Sequence, residues 1–280
     1  MRITFTRLIV ALVAAIAVSS SALAQTQDRK GASSAPAKFD PHDLTGMWQR
    51  EGDRGINPVV PEMTPQGLKM FNANKPSYGR PLGAPLNGEH IGRVRAVPPA
   101  QGNSLVGDCN PPGIPRLYFE PEPVEFIQAP DKLLQFFSWT RAIREIWTDG
   151  RSFPKDVDAL QPTWYGYNIG KWDGGTFVIS SLGYDERSWL DHFGYPHSAD
   201  MRMEERFRRT GPDSMEMVLT INDPAVYKTP WISQKNVFRR VPRKELTLNG
   251  WYGFLEGICA PIDEGDFNSR VRNPAGGVTR

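Results

Sequence analysis

The feature that most constrains the fold is a run of short alternating segments separated by turn signals. Between residues 122 and 223 the chain predicts three hairpins: VEFIQAPDKLLQFFSW, YNIGKWDGGTFVISSL and MRMEERFRRTGPDSMEMVLTIND. Pro130-Asp131 forms the tight turn of the first hairpin, and Asp149-Gly150 ends the IREIWTDGR segment that follows it. No amphipathic helix separates the segments, which favours an antiparallel β-barrel or sandwich. The 26 glycines and 25 prolines likewise favour many turns over long helices.

The segment DLTGMWQR, residues 43–50, predicts the first strand. Its Gly46-x-Trp48 opening resembles the lipocalin type of barrel, in which the tryptophan closes one end. We therefore expect an all-β, lipocalin-like antiparallel β-barrel with a long irregular N-terminal excursion and one disulfide. A barrel of this size holds a small ligand in its interior.

The excursion covers residues 51–108, which are rich in Pro and Gly. One short helix is predicted near Thr64–Ala73, with Thr64 as the cap and Pro65 at the first helical position. A loop this long is normally functional, for instance a lid, or disordered.

The N-terminus has the three parts of a secretory signal. Arg2 and Arg7 precede an apolar run, and Ala22-Leu23-Ala24 forms a cleavage site. The run is shorter than the roughly 20 residues of a membrane-spanning helix, although an uncleaved anchor is the alternative. We expect a signal peptide at 1–24, a linker at 25–42, one barrel domain at 43–262 and a flexible tail at 263–280. The mature protein is then periplasmic or secreted, with no membrane span.

Export to an oxidising compartment allows the two cysteines to form a disulfide. Cys109 and Cys259 are an even pair in an oxidising compartment, which predicts one disulfide. A thiol nucleophile is the alternative.

Charge and motif content argue against several classes of partner. The formal net charge of +2, with acids and bases interspersed, does not indicate a nucleic-acid surface. Glycine-rich phosphate loops are absent, so no nucleotide cofactor is implied. The chain has four histidines and no helical metal-binding spacing, so neither a metal nor another cofactor is predicted.

Six separated motifs resemble, in order, a large family of exported and functionally unassigned bacterial proteins. They are DLTGMW, CNPPGIPR, PTWYGYNIGKWDGGTFVI, GYDERSWLDHFGYPHS, EERFRR and TINDPAVYKTPW. The resemblance covers most of residues 43–260 and implies no activity.

Strand parity gives the sharpest prediction of a site residue. Between Arg202 and Arg209, Met203, Glu205 and Phe207 share one face, because side chains alternate with a period of two. An apolar face points to the core, so Glu205 should point inward as well. A lone carboxylate there takes a partner or a proton. We expect either a functional acid or an ion pair with one of three arginines: Arg141, Arg144 or Arg187.

The segment IREIWTDG supports a second inward carboxylate. Glu145 shares its parity with Ile143 and Trp147, while Arg144 and Ile146 have the other. Two inward carboxylates suit acid–base chemistry, and the same arrangement could bracket a structural arginine.

The polar stretch GYDERSWLDHFGYPHSAD supplies the other catalytic candidates. His197 is predicted to overhang the barrel mouth as a base, oriented by Asp191 or Asp200, or to be a surface residue. His192 is expected to be exposed. Ser198 is a poor nucleophile candidate because no Gly-x-Ser-x-Gly motif is present.

These observations leave two functional hypotheses. In the first, the barrel binds a small, partly apolar or aromatic ligand in its interior. In the second, the same cavity performs metal-free acid–base chemistry, such as elimination, isomerisation or hydration. The candidate catalytic residues are Glu205, His197, Asp185 and Asp191. The candidate ligand-binding residues are Trp164, Tyr167, Trp189, Glu145 and Arg141. Core packing is the alternative for each aromatic residue.

Overall fold

The computed structural model describes residues 38–52, 55–56, 59–77, 97, 101–157, 159–242 and 259–260. Within these residues the chain forms ten β-strands and one α-helix. The strands are β1 (Gly46–Glu51), β2 (Val124–Gln128), β3 (Lys132–Phe137), β4 (Ile143–Trp147), β5 (Tyr167–Asp173), β6 (Thr176–Leu182), β7 (Arg202–Gly211), β8 (Ser214–Asn222), β9 (Trp231–Ile232) and β10 (Asn236–Arg240). The helix is α1 (Pro65–Ala73).

Nine of the strands close into a barrel. Strands β1 to β8 are neighbours in chain order, and β10 pairs with both β8 and β1. The two-residue β9 pairs with the end of β8. Closure removes the exposed strand edges that an open sheet would leave. The predicted all-β barrel is therefore confirmed, and so is the Cys109–Cys259 disulfide.

The barrel has one weak seam, between β4 and β5. All other neighbouring strands are antiparallel, whereas β4 and β5 run parallel and share a single residue pair, Trp147 with Ile169. Parallel neighbours need a long crossover connection. Here residues 148–157 and 159–166 make that connection on the outside of the barrel.

The interior is packed with apolar side chains and closed around Trp48. Trp48 is fully buried, and its Nε1 donates to the carbonyl of Leu44 at 2.9 Å. The guanidinium carbons of Arg209 and Arg240 lie 5.0 and 5.2 Å from its ring centroid. Arg209 is the last inward-facing residue of β7. Because Trp48 contacts it and is itself fully buried, the tryptophan of the predicted first strand is part of the core.

A turn of 3-10 helix, Arg116–Phe119, is buried along its whole length. Its Tyr118 ring contacts the rings of Phe137, Phe207 and Phe238 at centroid distances of 5.3, 5.9 and 6.4 Å. The turn therefore carries a phenol into the barrel interior.

Helix α1 confirms the prediction made for the excursion. The Thr64 hydroxyl accepts a hydrogen bond from the Gly67 amide at 3.0 Å, and Pro65 occupies the first turn. Gly67 is required there because a Cβ would lie 2.2 Å from the carbonyl oxygen of Val226. No helix among the described residues is long and apolar enough to cross a membrane.

Several predictions fall outside the described residues. They are the signal peptide at 1–24, most of the linker, most of residues 78–100, most of a final strand in WYGFLEGICA, and the tail at 263–280.

Candidate functional site

An ion pair between Glu205 and Arg144 is buried in the barrel interior. Glu205 is fully buried between Met203 and Phe207 on the inward face of β7, as its parity predicts. Arg144 approaches from β4, and its Nη1 and Nη2 donate to the two carboxylate oxygens at 2.9 and 2.6 Å. This two-point geometry is the strongest that a guanidinium makes with a carboxylate.

Four neutral side chains complete the coordination of Arg144. Its Nη1 donates to the hydroxyl of Tyr118 at 2.9 Å and to Oε1 of Gln135 at 3.2 Å. Its Nη2 donates to Oδ1 of Asn168 at 2.7 Å and to the hydroxyl of Ser181 at 3.0 Å. We call these six residues the interior network. Its members come from β3, β4, β5, β6, β7 and the buried turn.

The network keeps Arg144 charged. Burial alone lowers the pKa of Arg144, but the Glu205 carboxylate and its hydrogen bonds outweigh this effect and leave the pKa above the ordinary value. Of the three arginines predicted as partners for Glu205, Arg144 is therefore the one observed. Arg141 is exposed in the turn before β4, and Arg187 pairs with Asp185.

The predicted inward orientation of Glu145 is wrong. Glu145 lies on the outer face of β4, where its carboxylate accepts from Lys132 Nζ at 2.8 Å. The inward residues are Arg144 and Ile146. The inference from strand alternation was wrong here because it assumed that apolar residues face the core. Ile143 and Trp147 are apolar and face outward, toward the crossover connection.

These outward apolar residues line a cavity of about 500 Å³ over the β4–β5 seam. We call it the seam cavity. Its floor is the outer face of β4 and β5, and its cover is the crossover connection. The apolar walls are Ile143, Trp147, Phe153, Leu160, Tyr167 and Ile169. Arg144 and Asn168 also line it, so the seam cavity adjoins the interior network.

A glycine allows the chain to bend beside the seam cavity. Gly166 has a φ of +69°, and a Cβ there would lie 2.7 Å from Cε1 of Tyr184. A larger residue would meet both backbone strain and this ring. Gly166 therefore lets the chain pass from the crossover connection into β5 over the fully buried Tyr184.

A second cavity of about 320 Å³ lies beside the disulfide, and we call it the disulfide cavity. Cys109, Cys259, Pro111 and Trp139 line it, and Tyr165 lines both cavities. The backbone is unusual here, because Cys109 and Thr140 have φ values of +62° and +59°. Strained residues of this kind cluster at functional sites.

Two of the five predicted ligand-binding residues, Tyr167 and Glu145, line the seam cavity. Trp164 lies under the guanidinium of Arg187, and Trp189 lies under that of Arg116, at 4.7 and 5.6 Å from the ring centroids. The sequence did not predict that Phe153, Leu160 and Thr163 line this cavity. The signal that could have indicated it was the apolar character of the outward-facing residues of β4.

The polar stretch after β6 is buried instead of forming a surface loop. Every residue from Ser188 to Ser198 is buried, including His192, whose predicted exposure is wrong. His197 is fully buried, and burial holds its pKa below the ordinary value. Its ring donates from Nδ1 to the Ser198 carbonyl at 3.0 Å, and its Nε2 lies 2.8 Å from the Ser188 hydroxyl, which is also within 3.2 Å of the Asp185 carbonyl.

This Ser188–His197 contact has the distance that a nucleophile and its base require. Neither residue, however, lines the seam cavity or the disulfide cavity. Ser198 instead donates its amide and hydroxyl to Asp223 at 2.6 and 2.8 Å. The four predicted catalytic residues therefore do not form one site, because each of them contacts a different set of neighbours.

Asp191 belongs to a buried cluster of ionisable side chains with Arg116, Glu120 and His192. Its Oδ1 accepts from the Phe193 amide at 2.8 Å, and Nε2 of His192 lies 3.1 Å from Oε1 of Glu120. Burial raises the pKa of Asp191 to about 7, against the opposing effects of backbone hydrogen bonds and Arg116. The folded protein therefore holds this proton at a pH where the unfolded chain has lost it.

Replacing Asp191 with asparagine is expected to stabilise the protein above pH 7 and to change little at pH 4. The folded pKa exceeds the unfolded value of 3.8, so wild-type stability falls as the pH rises from about 4 to about 7. The variant should lose this slope and gain roughly 2 to 4 kcal/mol at pH 8. Urea unfolding at pH 4, 6 and 8 measures the difference.

Asp149→Asn is the matched control, because Asp149 is exposed and its pair with Arg151 lowers its pKa. That variant should show no gain at high pH. An Asp191→Asn variant with the wild-type pH dependence would contradict a raised pKa at this position.

Comparisons of the chain with protein-family models, with curated proteins and with solved structures find no match.

Proposed function

We propose that this barrel binds a small, partly apolar or aromatic ligand in the seam cavity. The observation that carries the proposal is a cavity of about 500 Å³ with aromatic and aliphatic walls on the outer face of β4 and β5. Small-molecule sites usually measure about 300 to 1,000 Å³ and combine apolar walls with a few polar groups. The size and lining of the seam cavity meet both criteria.

The seam cavity supports this function better than the centre of the barrel does. The sequence predicts a ligand in the interior, but there the interior network already joins Arg144 to five partners. Displacing them would leave a buried guanidinium without its counter-charge. The seam cavity instead offers open apolar surface, which gains free energy when a ligand covers it.

The alternative, a metal-free acid–base enzyme, has fewer observations in its favour. Glu205 is held by Arg144, and none of Glu205, His197, Asp185 and Asp191 lines either cavity. Among the described residues, the Ser188–His197 hydrogen bond is a contact that suits catalysis. An enzymatic role stays a prediction.

Export to the periplasm or beyond is part of the same proposal. The disulfide supports it, because such bonds persist in oxidising compartments. Membership of the exported family suggested by the six motifs also stays a prediction.

Replacing Trp147 with leucine is expected to weaken binding of an apolar probe about tenfold. Trp147 forms one wall of the seam cavity, and its ring contacts Arg151 Cζ at 3.8 Å from the centroid. Loss of an aromatic wall costs roughly 1 to 2 kcal/mol of binding free energy. Titration with N-phenyl-1-naphthylamine, an uncharged probe whose emission rises in apolar surroundings, measures the dissociation constant.

Trp172→Leu is the matched control, because Trp172 packs against Phe177 and His42 away from both cavities. It should bind the probe as the wild type does. No probe binding by the wild type, or equal loss in both variants, would exclude the seam cavity as the site. If the probe does bind in the seam cavity, native mass spectrometry of protein purified from its host would identify the natural ligand.

A further inference from the structure

We propose that the seam between β4 and β5 is a gate in the barrel wall, that the side chain of Asn168 holds it closed, and that opening it disrupts the floor of the seam cavity. This inference goes beyond the proposed function, because it concerns how the barrel opens in the free protein. Only the ligand arm of its test rests on the proposed function.

The backbone ladder at the seam is the shortest one between described strands. Strands β4 and β5 share the single pair of Trp147 with Ile169, whereas β3 and β4 share five residue pairs and β5 and β6 share seven. Backbone groups that face such a gap need other partners. Proteins open locally at their least stable elements, at free energies below that of global unfolding. On the ladder alone, the seam is therefore where the barrel should open first.

The side chain of Asn168 takes the place of the missing ladder. Its Nδ2 donates to the carbonyl of Glu145 in β4 and to the carbonyl of Gly166, both at 3.0 Å. Its Oδ1 accepts from Nε and Nη2 of Arg144, also in β4, at 3.1 and 2.7 Å. Three of these four hydrogen bonds cross the seam, and two of the three have a charged donor, which strengthens them. Asn168 is buried, so little water competes for them.

The next inward residue of β5 is Gly170, which adds no side chain to the seam. A Cβ at this position would lie 2.8 Å from Cγ2 of Ile146 and 2.4 Å from Cζ of Phe177. Apolar side chains of β4 and β6 therefore fill the space beside Gly170. Asn168 is the inward residue of β5 that binds β4 through hydrogen bonds.

The floor of the seam cavity depends on this join between the two strands. Ile143 and Trp147 come from β4, and Tyr167 and Ile169 come from β5. A ligand on this floor contacts both strands and favours the state in which they are together. Asn168 itself lines the seam cavity, so the group that closes the gate lies beside the ligand.

Hydrogen exchange of the full chain, read by mass spectrometry, tests the gate in the free protein. We expect peptides that cover β4 and β5 to exchange about tenfold faster, or more, than peptides that cover β7 and β8, which share nine residue pairs. Asn168→Leu keeps the branching of the side chain and removes its hydrogen bonds. It should raise the ratio of seam exchange to β7–β8 exchange by a further factor of about ten or more.

Ser181→Ala is the matched control. The Ser181 hydroxyl accepts from the same Nη2 of Arg144 at 3.0 Å, but it belongs to β6. Its removal leaves the hydrogen bonds between Asn168 and β4 in place, so the ratio should stay near that of the wild type. Equal exchange of the two regions in the wild type would overturn the inference. An unchanged ratio in Asn168→Leu, or the same increase in both variants, would overturn it as well. The wild-type comparison decides whether or not Asn168→Leu folds.

The ligand arm uses N-phenyl-1-naphthylamine at a free concentration roughly ten times its dissociation constant. A ligand that needs both strands binds the closed gate and not the open one, so we expect seam exchange to slow about tenfold. Binding without slower seam exchange would show that opening leaves the cavity floor intact, and would overturn the inference. If the probe does not bind, the proposed function fails, and the exchange rates of the free protein alone decide this inference.

Discussion

Replacing Glu205 with glutamine is expected to lower the free energy of unfolding by about 3 to 5 kcal/mol. The substitution keeps the shape of the side chain and removes its charge. The guanidinium of Arg144 would then stay in the barrel interior, where Glu205 and Arg144 are both fully shielded from solvent. The neutral partners Tyr118, Gln135, Asn168 and Ser181 can orient the guanidinium but cannot neutralise it. Urea unfolding followed by tryptophan fluorescence measures the loss.

The outer face of the barrel offers the matched control for this change. Glu145→Gln makes the same replacement in an ion pair whose Glu145 carboxylate is about half exposed, at 49 %. Water replaces most of that interaction, so the control should change stability far less. Equal losses in the two variants would show that the buried pair contributes no more than an exposed one.

The position of Glu205 could be predicted from sequence because β7 has an unambiguous parity. Every residue on one face of Arg202–Arg208 is charged, and the other face carries Met203 and Phe207. A single assignment fits this pattern. The all-β class was predictable because regular turns and the absence of helical periodicity favour a barrel or a sandwich, and the Gly46-x-Trp48 opening favoured the barrel.

The seam cavity was not predictable, because its cover comes from a distant part of the connection. In β4 both parities contain large apolar residues, so local alternation does not decide which face points inward. Phe153 and Leu160 pack over the outer face of β4 and β5. They belong to the crossover connection, and the local sequence does not show where that connection lies on the barrel. That cover gives a physical explanation for the outward position of Trp147, which is partly buried, whereas Ile143 is still 56 % exposed.

The buried polar stretch was missed for the converse reason. Asp191 and His192 are polar and lie in a proline-containing segment, which favours exposure. Their charged neighbours, Arg116 and Glu120, come from a turn more than 70 residues earlier in the chain. Composition can show that such residues need partners, but it cannot show that distant partners bury them.

Replacing both Cys109 and Cys259 with serine is expected to lower the free energy of unfolding by about 2 to 5 kcal/mol. The disulfide joins residues 150 positions apart, with their Cα atoms 5.5 Å from each other. A cross-link over so long a loop restricts the unfolded chain strongly, so the folded state loses relative stability when it is removed. Guanidinium unfolding of wild type and variant measures the effect.

Reduction provides the internal control. A dithiol reductant should bring the wild type to the stability of the double serine variant and should leave that variant unchanged. The disulfide also forms part of the disulfide cavity, whose residue Tyr165 is shared with the seam cavity. If the bond only restricts the unfolded chain, the variant should bind N-phenyl-1-naphthylamine as the wild type does under folding conditions. A weaker affinity at unchanged fold would show that the disulfide also positions Tyr165 for ligand binding.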